Sequence, residues 1–126
     1  MGLELVEPKS EQANKDIVIL ANSIRQSVWI GINDKSKEGH FVYASDGKSL
    51  KFTNWIPGQP SNWKGKEDCA HLWKQYGFRW NDAPCSSKMS FICERQSSKY
   101  AYLLTYTNSY LYLTIFLLYC RYRILE

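Results

Sequence analysis

The sequence lacks the signatures of several common protein classes. Its four cysteines show no Cys-x-x-Cys spacing and His71 has no second histidine near it, so a zinc site of the usual kind is not indicated. The basic residues form no run and do not alternate with aromatic residues, which argues against nucleic-acid binding. Neither His40 nor His71 accompanies a nucleophile motif, and enzymatic activity is therefore not expected.

A signal peptide is missing as well. The first 20 residues, MGLELVEPKSEQANKDIVIL, contain no basic start followed by an apolar run. Disulfides, by contrast, are the best explanation of the cysteines, and these bonds form in oxidising compartments. The cysteines are Cys69, Cys85, Cys93 and Cys120. The two observations conflict about where the protein resides.

The chain of 126 residues allows one domain, and its short apolar segments predict an α+β fold. Ser10 is a suitable N-cap, and apolar residues recur after it at helical spacing, so we expect a helix from about residue 10 to 24. SVWIGIN predicts a buried strand, and FVY (41–43) and LKF (50–52) predict a hairpin around the turn SDGK. CAHLW, FRW and SFICE predict three further short strands.

The composition changes after the last predicted strand. Residues 100–120 carry no charge and are rich in tyrosine. The segment AYLLTYTNSYLYLTIFLLYC is long enough to cross a bilayer and is followed by RYR. Its polar residues weaken that prediction, and an added strand or an ill-ordered tail are the alternatives. We therefore divide the chain into a domain over residues 1–95 and a tyrosine-rich tail over 96–126, which would attach the protein to a membrane if it forms the span.

Oxygen-bearing side chains are concentrated in the middle of the chain. WIPGQPSNWKGKEDCAHLW contains too much Gly and Pro for a helix, and RWNDAPC follows it. Ca²⁺ takes six to eight oxygen ligands, commonly from flexible loops, and Gln59, Ser61, Glu67 and the Asn81-Asp82 pair supply such oxygens. If Cys69 and Cys85 pair, the disulfide brings the two parts of this set together.

Two other interpretations of these residues are weaker. Each residue alone is most simply a solvated loop residue, but their joint occurrence around the two cysteines favours a cation site. Glu67, Asp68 and Asp82 also suggest the acid and base of a glycosidase. Acids clustered beside Asn and Gln amides are, however, more typical of a cation site.

Seven motifs along the chain resemble the C-type lectin domain. They are WIGIND (29–34), EGHFVY (38–43), NW (54–55), the Gln-Pro-Ser triplet, EDC (67–69), WNDAPC (80–85) and FICE (91–94). They follow the family's order and spacing across residues 3–94. The resemblance implies a C-type lectin-like α+β fold with short antiparallel strands, one retained helix and a long loop region that binds calcium and sugar.

The resemblance also implies the residues of the site. One calcium ion is assigned to Gln59, Ser61, Glu67, Asn81 and Asp82, and an auxiliary calcium position matches Asp34, Glu38, Glu67 and Asp68, with Asn62 where an acid is common. In the family, two vicinal sugar hydroxyls complete the coordination of the first ion. The usual triplets, Glu-Pro-Asn in mannose-type and Gln-Pro-Asp in galactose-type members, contain one carboxylate. Gln-Pro-Ser contains none, so calcium binding weaker than usual is expected.

Trp63 bears on the choice of sugar. Galactose-type members resemble QPSNW in placing a tryptophan two residues past the triplet, and packing beneath the loop is the alternative role for Trp63. The sugar-binding residues implied are Gln59, Ser61, Glu67, Asn81 and Trp63. We predict a calcium-dependent lectin that prefers galactose or N-acetylgalactosamine to mannose. A C-type lectin-like domain that contacts proteins without binding sugar is the alternative.

The start of the chain departs from the family. Members have an earlier strand and helix, and a cysteine before the GLELVEP region that bonds to the position of Cys93. The chain therefore resembles an N-terminally truncated member, which accounts for the missing signal peptide. An extracellular, disulfide-bonded protein with a role in innate immunity remains the family-level expectation. Cys69 is expected to pair with Cys85, and Cys120 is a candidate partner for Cys93.

Overall fold

The computed structural model describes residues 3–95 and 101–104. The strands are β1 (Leu3–Leu5), β2 (Val28–Asn33), β3 (Val42–Tyr43), β4 (Cys69–Trp73), β5 (Arg79–Ala83), β6 (Ser90–Arg95) and β7 (Ala101–Leu104). One helix, α1 (Glu11–Ile24), and two short 3₁₀ turns, Trp63–Gly65 and Lys74–Tyr76, complete the described secondary structure. The proposed membrane-spanning segment lies largely outside the described residues, and within them no helix is long and apolar enough to span a bilayer.

The strands form a single sheet in the order β1-β6-β2-β4-β5. Strand β3 pairs with β2, and β7 pairs with β6. The expectation of antiparallel strands is wrong for one pair, because β2 and β6 run parallel at Val28↔Ser90 and Trp29↔Phe91. These two strands lie far apart in sequence, so no hairpin turn constrains them to run antiparallel.

Helix α1 confirms the predicted segment almost to the residue. Ser10 has an extended backbone, and its Oγ accepts a hydrogen bond from the Ala13 N–H at 3.1 Å. The helix ends at Arg25, which adopts the left-handed conformation, a common way to end a helix. Ile17 and Ala21 face the core, so the apolar spacing seen in the sequence corresponds to the buried side of the helix.

The predicted hairpin at 41–43 and 50–52 is wrong in its second half. Only Val42–Tyr43 forms a strand there, and its regular partner is β2, while Ser49 makes one isolated bridge to Val42. The Lys51 N–H donates instead to the phenol oxygen of Tyr43 at 3.0 Å. A side chain thus takes the hydrogen bond that a strand partner would have received, and Phe52 still packs its ring against Trp80.

The tryptophan of the WNDAPC motif lies at the centre of the core, directly before Asn81 and Asp82. Trp80 is fully buried and packs edge to face on Phe52 and Trp55. Its indole N–H donates to Asn14 Oδ1 of α1 at 2.9 Å. Because Trp80 immediately precedes Asn81 and Asp82, the helix and the aromatic core together fix the strand that carries these two residues.

The cysteines of β4 and β6 are both disulfide-bonded. Cys69, at the start of β4, is bonded to Cys85, just beyond β5, with an S–S distance of 2.00 Å and a Cα–Cα distance of 5.1 Å. Cys93 in β6 is fully buried and is disulfide-bonded as well, and its partner is not among the described residues. The expected Cys69–Cys85 pair is therefore present.

Candidate functional site

The β4–β5 hairpin positions the last two residues of the candidate site. The two strands pair with His71 opposite Asn81 and Ala70 opposite Asp82. The Cys69–Cys85 disulfide closes this hairpin at its open end. Asn81 and Asp82 are consequently held on a rigid double strand, against which the irregular loop before β4 can pack.

Asp82 fastens that loop to the sheet. Its carboxylate is fully buried, and it accepts hydrogen bonds from the backbone N–H groups of Ser61 at 3.0 Å and Asn62 at 2.7 Å. Asn62 has a left-handed backbone, with φ of 46°, within the turn that follows the triplet. Each carboxylate oxygen has a second lone pair, so Asp82 can still contribute to a cation site while it holds the loop.

Glu67 forms hydrogen bonds with other residues of the same loop. Its Oε2 accepts hydrogen bonds from Ser61 Oγ at 3.3 Å and from the Trp63 N–H at 2.8 Å. The Glu67 N–H donates in turn to Asn62 Oδ1 at 3.1 Å. Ser61, Glu67 and Asp82, which were selected from the sequence, therefore belong to one hydrogen-bonded network.

Gln59 and Asn81 contribute amide oxygens to the same region. The peptide bond between Gln59 and Pro60 is cis. Gln59 Oε1 is buried and has no hydrogen-bond partner among the described residues, which is uncommon for a buried polar atom. The Asn81 amide donates through Nδ2 to His71 Nε2 at 3.0 Å and to the Asp82 carbonyl at 2.7 Å, so its remaining polar atom is the oxygen.

His71 is a site residue that sequence reasoning set aside. Burial lowers the pKa of this imidazole to about 4, so the ring is neutral at physiological pH and its Nε2 can accept the Asn81 hydrogen bond. The side chain lies edge to face on Trp29, with ring centroids 5.8 Å apart. The pair follows from the β4–β5 register, in which Cys69 lies opposite Ala83 and His71 opposite Asn81. Neither the sequence spacing nor the disulfide specifies this register.

Trp63 is exposed beside this network. Its side chain is 64% exposed, so the alternative that it packs beneath the loop is wrong. The Lys64 ammonium lies over the indole, 4.2 Å from the ring centroid. An exposed tryptophan next to a hydrogen-bonded polar site is typical of a surface that binds a ligand.

A second group of acids lies nearby. The ligand atoms of Asp34, Glu38 and Asp68 lie within 4.8 Å of one another. Asp34 is buried, its Oδ2 accepts from the Gly39 N–H at 2.8 Å, and its Oδ1 has no partner among the described residues. Burial is the main cause that raises the pKa of the Asp34 carboxyl, and the charges of Glu38 and Asp68 add to it.

The structure divides the predicted auxiliary set. Glu67 is not part of the acidic group found in the described residues, and its Oε2 accepts hydrogen bonds from Ser61 and Trp63 instead. Asn62 uses its Oδ1 to hold the Glu67 N–H. Of the predicted auxiliary set, the structure brings together the carboxylates of Asp34, Glu38 and Asp68.

Both donor sets fit a hard divalent cation. Their side-chain donors are oxygens, which Ca²⁺ prefers, and each set contains one buried oxygen without a partner in the described structure: Gln59 Oε1 in the first and Asp34 Oδ1 in the second. A cation would also relieve the mutual repulsion of Asp34, Glu38 and Asp68. The arrangement is suited to binding and shows no nucleophile poised beside a base.

Comparison with known proteins gives a consistent result. The sequence model of the family described as "Lectin C-type domain" matches residues 1–95. Salivary C-type lectin 2 of Aedes albopictus is 40% identical over an alignment of 105 positions that covers 75% of this chain and 70% of that protein. The chain spans 57% and 43% of the length of two other curated relatives.

Two solved structures have the same fold. The mouse scavenger receptor C-type lectin carbohydrate-recognition domain has a TM-score of 0.64 and 36% identity, over 72% of this chain and 70% of that one. The cow C-type carbohydrate-recognition domain of CD23, studied in the presence of GlcNAc2Man3 oligosaccharide, has a TM-score of 0.62 and 30% identity, over 80% and 70%. These findings confirm the predicted α+β fold. The chain belongs to the C-type lectin domain family.

Proposed function

We propose that this chain is a calcium-dependent carbohydrate-binding module that recognises vicinal diols of glycans. The observation that carries the proposal is the buried Gln59 Oε1, which has no hydrogen-bond partner in the described part of the chain and lies two residues before the hydrogen-bonded network of Ser61, Glu67 and Asp82. An amide oxygen left without a partner at such a place is best explained by a ligand that the described protein atoms do not supply.

In this proposal the first ion is held by Gln59, Ser61, Glu67, Asn81 and Asp82. When bound, the ion supplies a positive centre that polarises two neighbouring sugar hydroxyls. The chain's own residues orient those hydroxyls, because Glu67 can accept hydrogen bonds from them and Gln59 can donate to them through its amide. His71 positions the Asn81 amide from behind. A second ion at Asp34, Glu38 and Asp68 would stabilise the adjoining loop.

The affinity for calcium is expected to be low. Only Glu67 and Asp82 bring negative charge to the first set, and Ser61 Oγ is both neutral and short. Because calcium affinity depends on the charge and number of its ligands, we expect a Kd near or above about 10⁻⁴ to 10⁻³ M. That range suffices for an extracellular module, where calcium is abundant.

Galactose or N-acetylgalactosamine is the preferred sugar in this proposal. Gln59 occupies the position that is glutamine in galactose-type triplets, and Trp63 presents an exposed indole next to Glu67. A flat indole can cover the apolar face of galactose through ring-edge and stacking contacts.

The relatives and the disulfides support an extracellular setting and glycan partners. Members of the family are non-enzymatic carbohydrate-binding proteins. This agrees with the prediction that the chain is not an enzyme. One similar protein is named as salivary, and one structural neighbour was studied with an oligosaccharide. The Cys69–Cys85 bond is of the kind that persists outside the cytosol.

Retention on immobilised sugar is the direct test. In millimolar calcium we expect the protein to be retained on galactose resin more strongly than on mannose resin, and chelator is expected to elute it from both. Retention should be measured as elution volume in the presence and absence of chelator. If the protein is retained on neither resin, the proposal is wrong.

Ser61→Asp supplies the carboxylate that the triplet lacks. Ser61 Oγ lies 3.3 Å from Glu67 Oε2, so an aspartate there would repel Glu67 until calcium binds. We expect about tenfold tighter calcium binding by calorimetry, since ligand charge sets affinity. Ser86→Asp adds the same charge to an exposed position beyond the disulfide and should leave the affinity nearly unchanged.

This pair of variants also separates the lectin from a domain that contacts proteins without sugar, an alternative favoured by the uncharged triplet. If calcium binds neither the natural chain nor Ser61→Asp, the loop is not a calcium site and the alternative is preferred.

A further inference from the structure

We infer that the glycan recognised at this site carries an anionic substituent, such as a sulfate or a carboxylate, and that Lys64 on the face of Trp63 contacts it. The inference rests on the proposed sugar site and specifies the class of sugar that the site favours. It comes from the geometry of the turn that joins Ser61 to Glu67.

Trp63 is tied directly to the proposed calcium and sugar site. Its backbone N–H donates to Glu67 Oε2 at 2.8 Å, and the same oxygen accepts from Ser61 Oγ. The backbone of Trp63 is therefore fixed one hydrogen bond away from a proposed ligand of the ion. Its indole, 64% exposed, lies on the rim of the site rather than elsewhere on the surface.

The turn also fixes the side chain that follows. Asn62, Lys64 and Gly65 all have positive φ, at 46°, 57° and 65°, and the turn is closed by the Gly65 N–H donating to the Asn62 carbonyl at 2.8 Å. A left-handed lysine is uncommon. In this conformation the Lys64 side chain folds back over Trp63, with Nζ 4.2 Å from the ring centroid.

The contact holds the charge of Lys64 in place. An exposed lysine usually samples many rotamers, and this freedom weakens any ion pair that it forms. A cation over an indole face is attracted by the ring quadrupole, which reduces the entropy still to be lost when a ligand binds. The ammonium also covers part of one face of the indole. A neutral sugar ring could therefore stack only on the part of the indole that Lys64 leaves uncovered.

The charge at this rim is not neutralised by the protein. Among the described residues, neither Lys64 nor its neighbour Lys66 has an acidic partner within ion-pair distance, whereas Lys9 and Lys15 do. With calcium bound, its two positive charges balance Glu67 and Asp82. The rim then presents net positive charge, which favours an anionic group on the sugar.

The test compares neutral and anionic galactosides in calcium. The probes are methyl galactoside, its 3-sulfate and 6-sulfate, and sialyl-galactose, and affinities are measured by calorimetry or competition. The best anionic probe should bind about two- to fivefold tighter than methyl galactoside at low salt, as expected for one exposed ion pair. The sulfate and carboxylate arms show which anion the site accepts. The advantage should fall in 0.5 M salt, because ions screen exposed charges.

Lys64→Gln should bring the anionic-to-neutral affinity ratio close to one. Lys15→Gln removes the same charge from helix α1 and should keep the ratio of the natural chain. A ratio of one in the natural chain, or an anionic preference that survives in Lys64→Gln, overturns the inference while leaving the sugar site intact. If no galactoside binds in calcium, the inference fails, and the mannose resin decides whether the proposed function fails with it: retention there keeps the calcium-dependent lectin and removes only its galactose preference.

Discussion

Replacing Asp82 by alanine is expected to abolish calcium-dependent retention on galactose. Asp82 provides one of only two negative charges in the proposed first calcium set, and it is fully buried. Loss of half of that charge should weaken calcium binding by about tenfold or more, since affinity depends on ligand charge. Starting from a site already near the millimolar range, such a loss leaves it unoccupied under ordinary conditions.

The same substitution should loosen the loop itself. Asp82 accepts the backbone N–H groups of Ser61 and Asn62, and alanine leaves both without this acceptor. Hydrogen bonds to a charged group are worth roughly 1.5 to 3 kcal/mol, and water can replace part of this at the exposed Ser61. We therefore expect the free energy of unfolding to fall by about 1 to 3 kcal/mol even in chelator.

Two measurements distinguish these effects. Calorimetric titration reports the calcium affinity, and urea unfolding in chelator reports the stability without the ion. Asp16→Ala makes the same change at an exposed position of α1 and should alter stability by no more than about 0.5 kcal/mol. Retention of Asp82→Ala on galactose with natural strength would show that Asp82 is not a ligand.

The elements that the sequence predicted well have strong local signals. Helix α1 has a capping serine and a clear apolar period, and the strands β2 and β4 are compact apolar runs. β1 was not predicted, because a three-residue strand is defined by its pairing with β6 at the other end of the domain. The missing half of the hairpin depends on a single side-chain acceptor, Tyr43, which local propensity does not report.

In the candidate site, too, some features could be predicted from the sequence and others depend on the fold. Sequence spacing selected Ser61, Glu67 and Asp82, which the structure connects by hydrogen bonds. Spacing could not show that Glu67 Oε2 bonds within its own loop and that Glu67 is not part of the acidic group of Asp34, because both depend on the left-handed turn after Ser61. Nor could it show that His71 faces Asn81, which requires the register of β4 and β5. Residue types were readable from the motif, whereas side-chain directions required the fold.

Acidification from pH 6.5 to pH 4 is expected to destabilise the fold through His71. Burial lowers the pKa of this residue from 6.5 to about 4. Within that interval the unfolded chain binds a proton that the folded chain does not, so stability decreases as the pH falls. The contribution is complete above pH 6.5 and lost below about pH 4. At 1.36 kcal/mol per pH unit, the shift corresponds to roughly 3 kcal/mol.

Other groups change with pH in the same range, so a matched variant is needed. Burial raises the pKa of Asp34 and of Glu94, and these carboxyls take up protons more readily when folded, which favours the folded state as the pH falls. His71→Gln keeps an acceptor for the Asn81 amide and cannot be protonated. Urea unfolding of both proteins in chelator, at pH 7, 5.5 and 4, isolates the contribution of His71 to the free energy of unfolding. The natural chain should lose roughly 3 kcal/mol more than the variant between pH 7 and pH 4, and equal losses would show that His71 is readily protonated in the folded state.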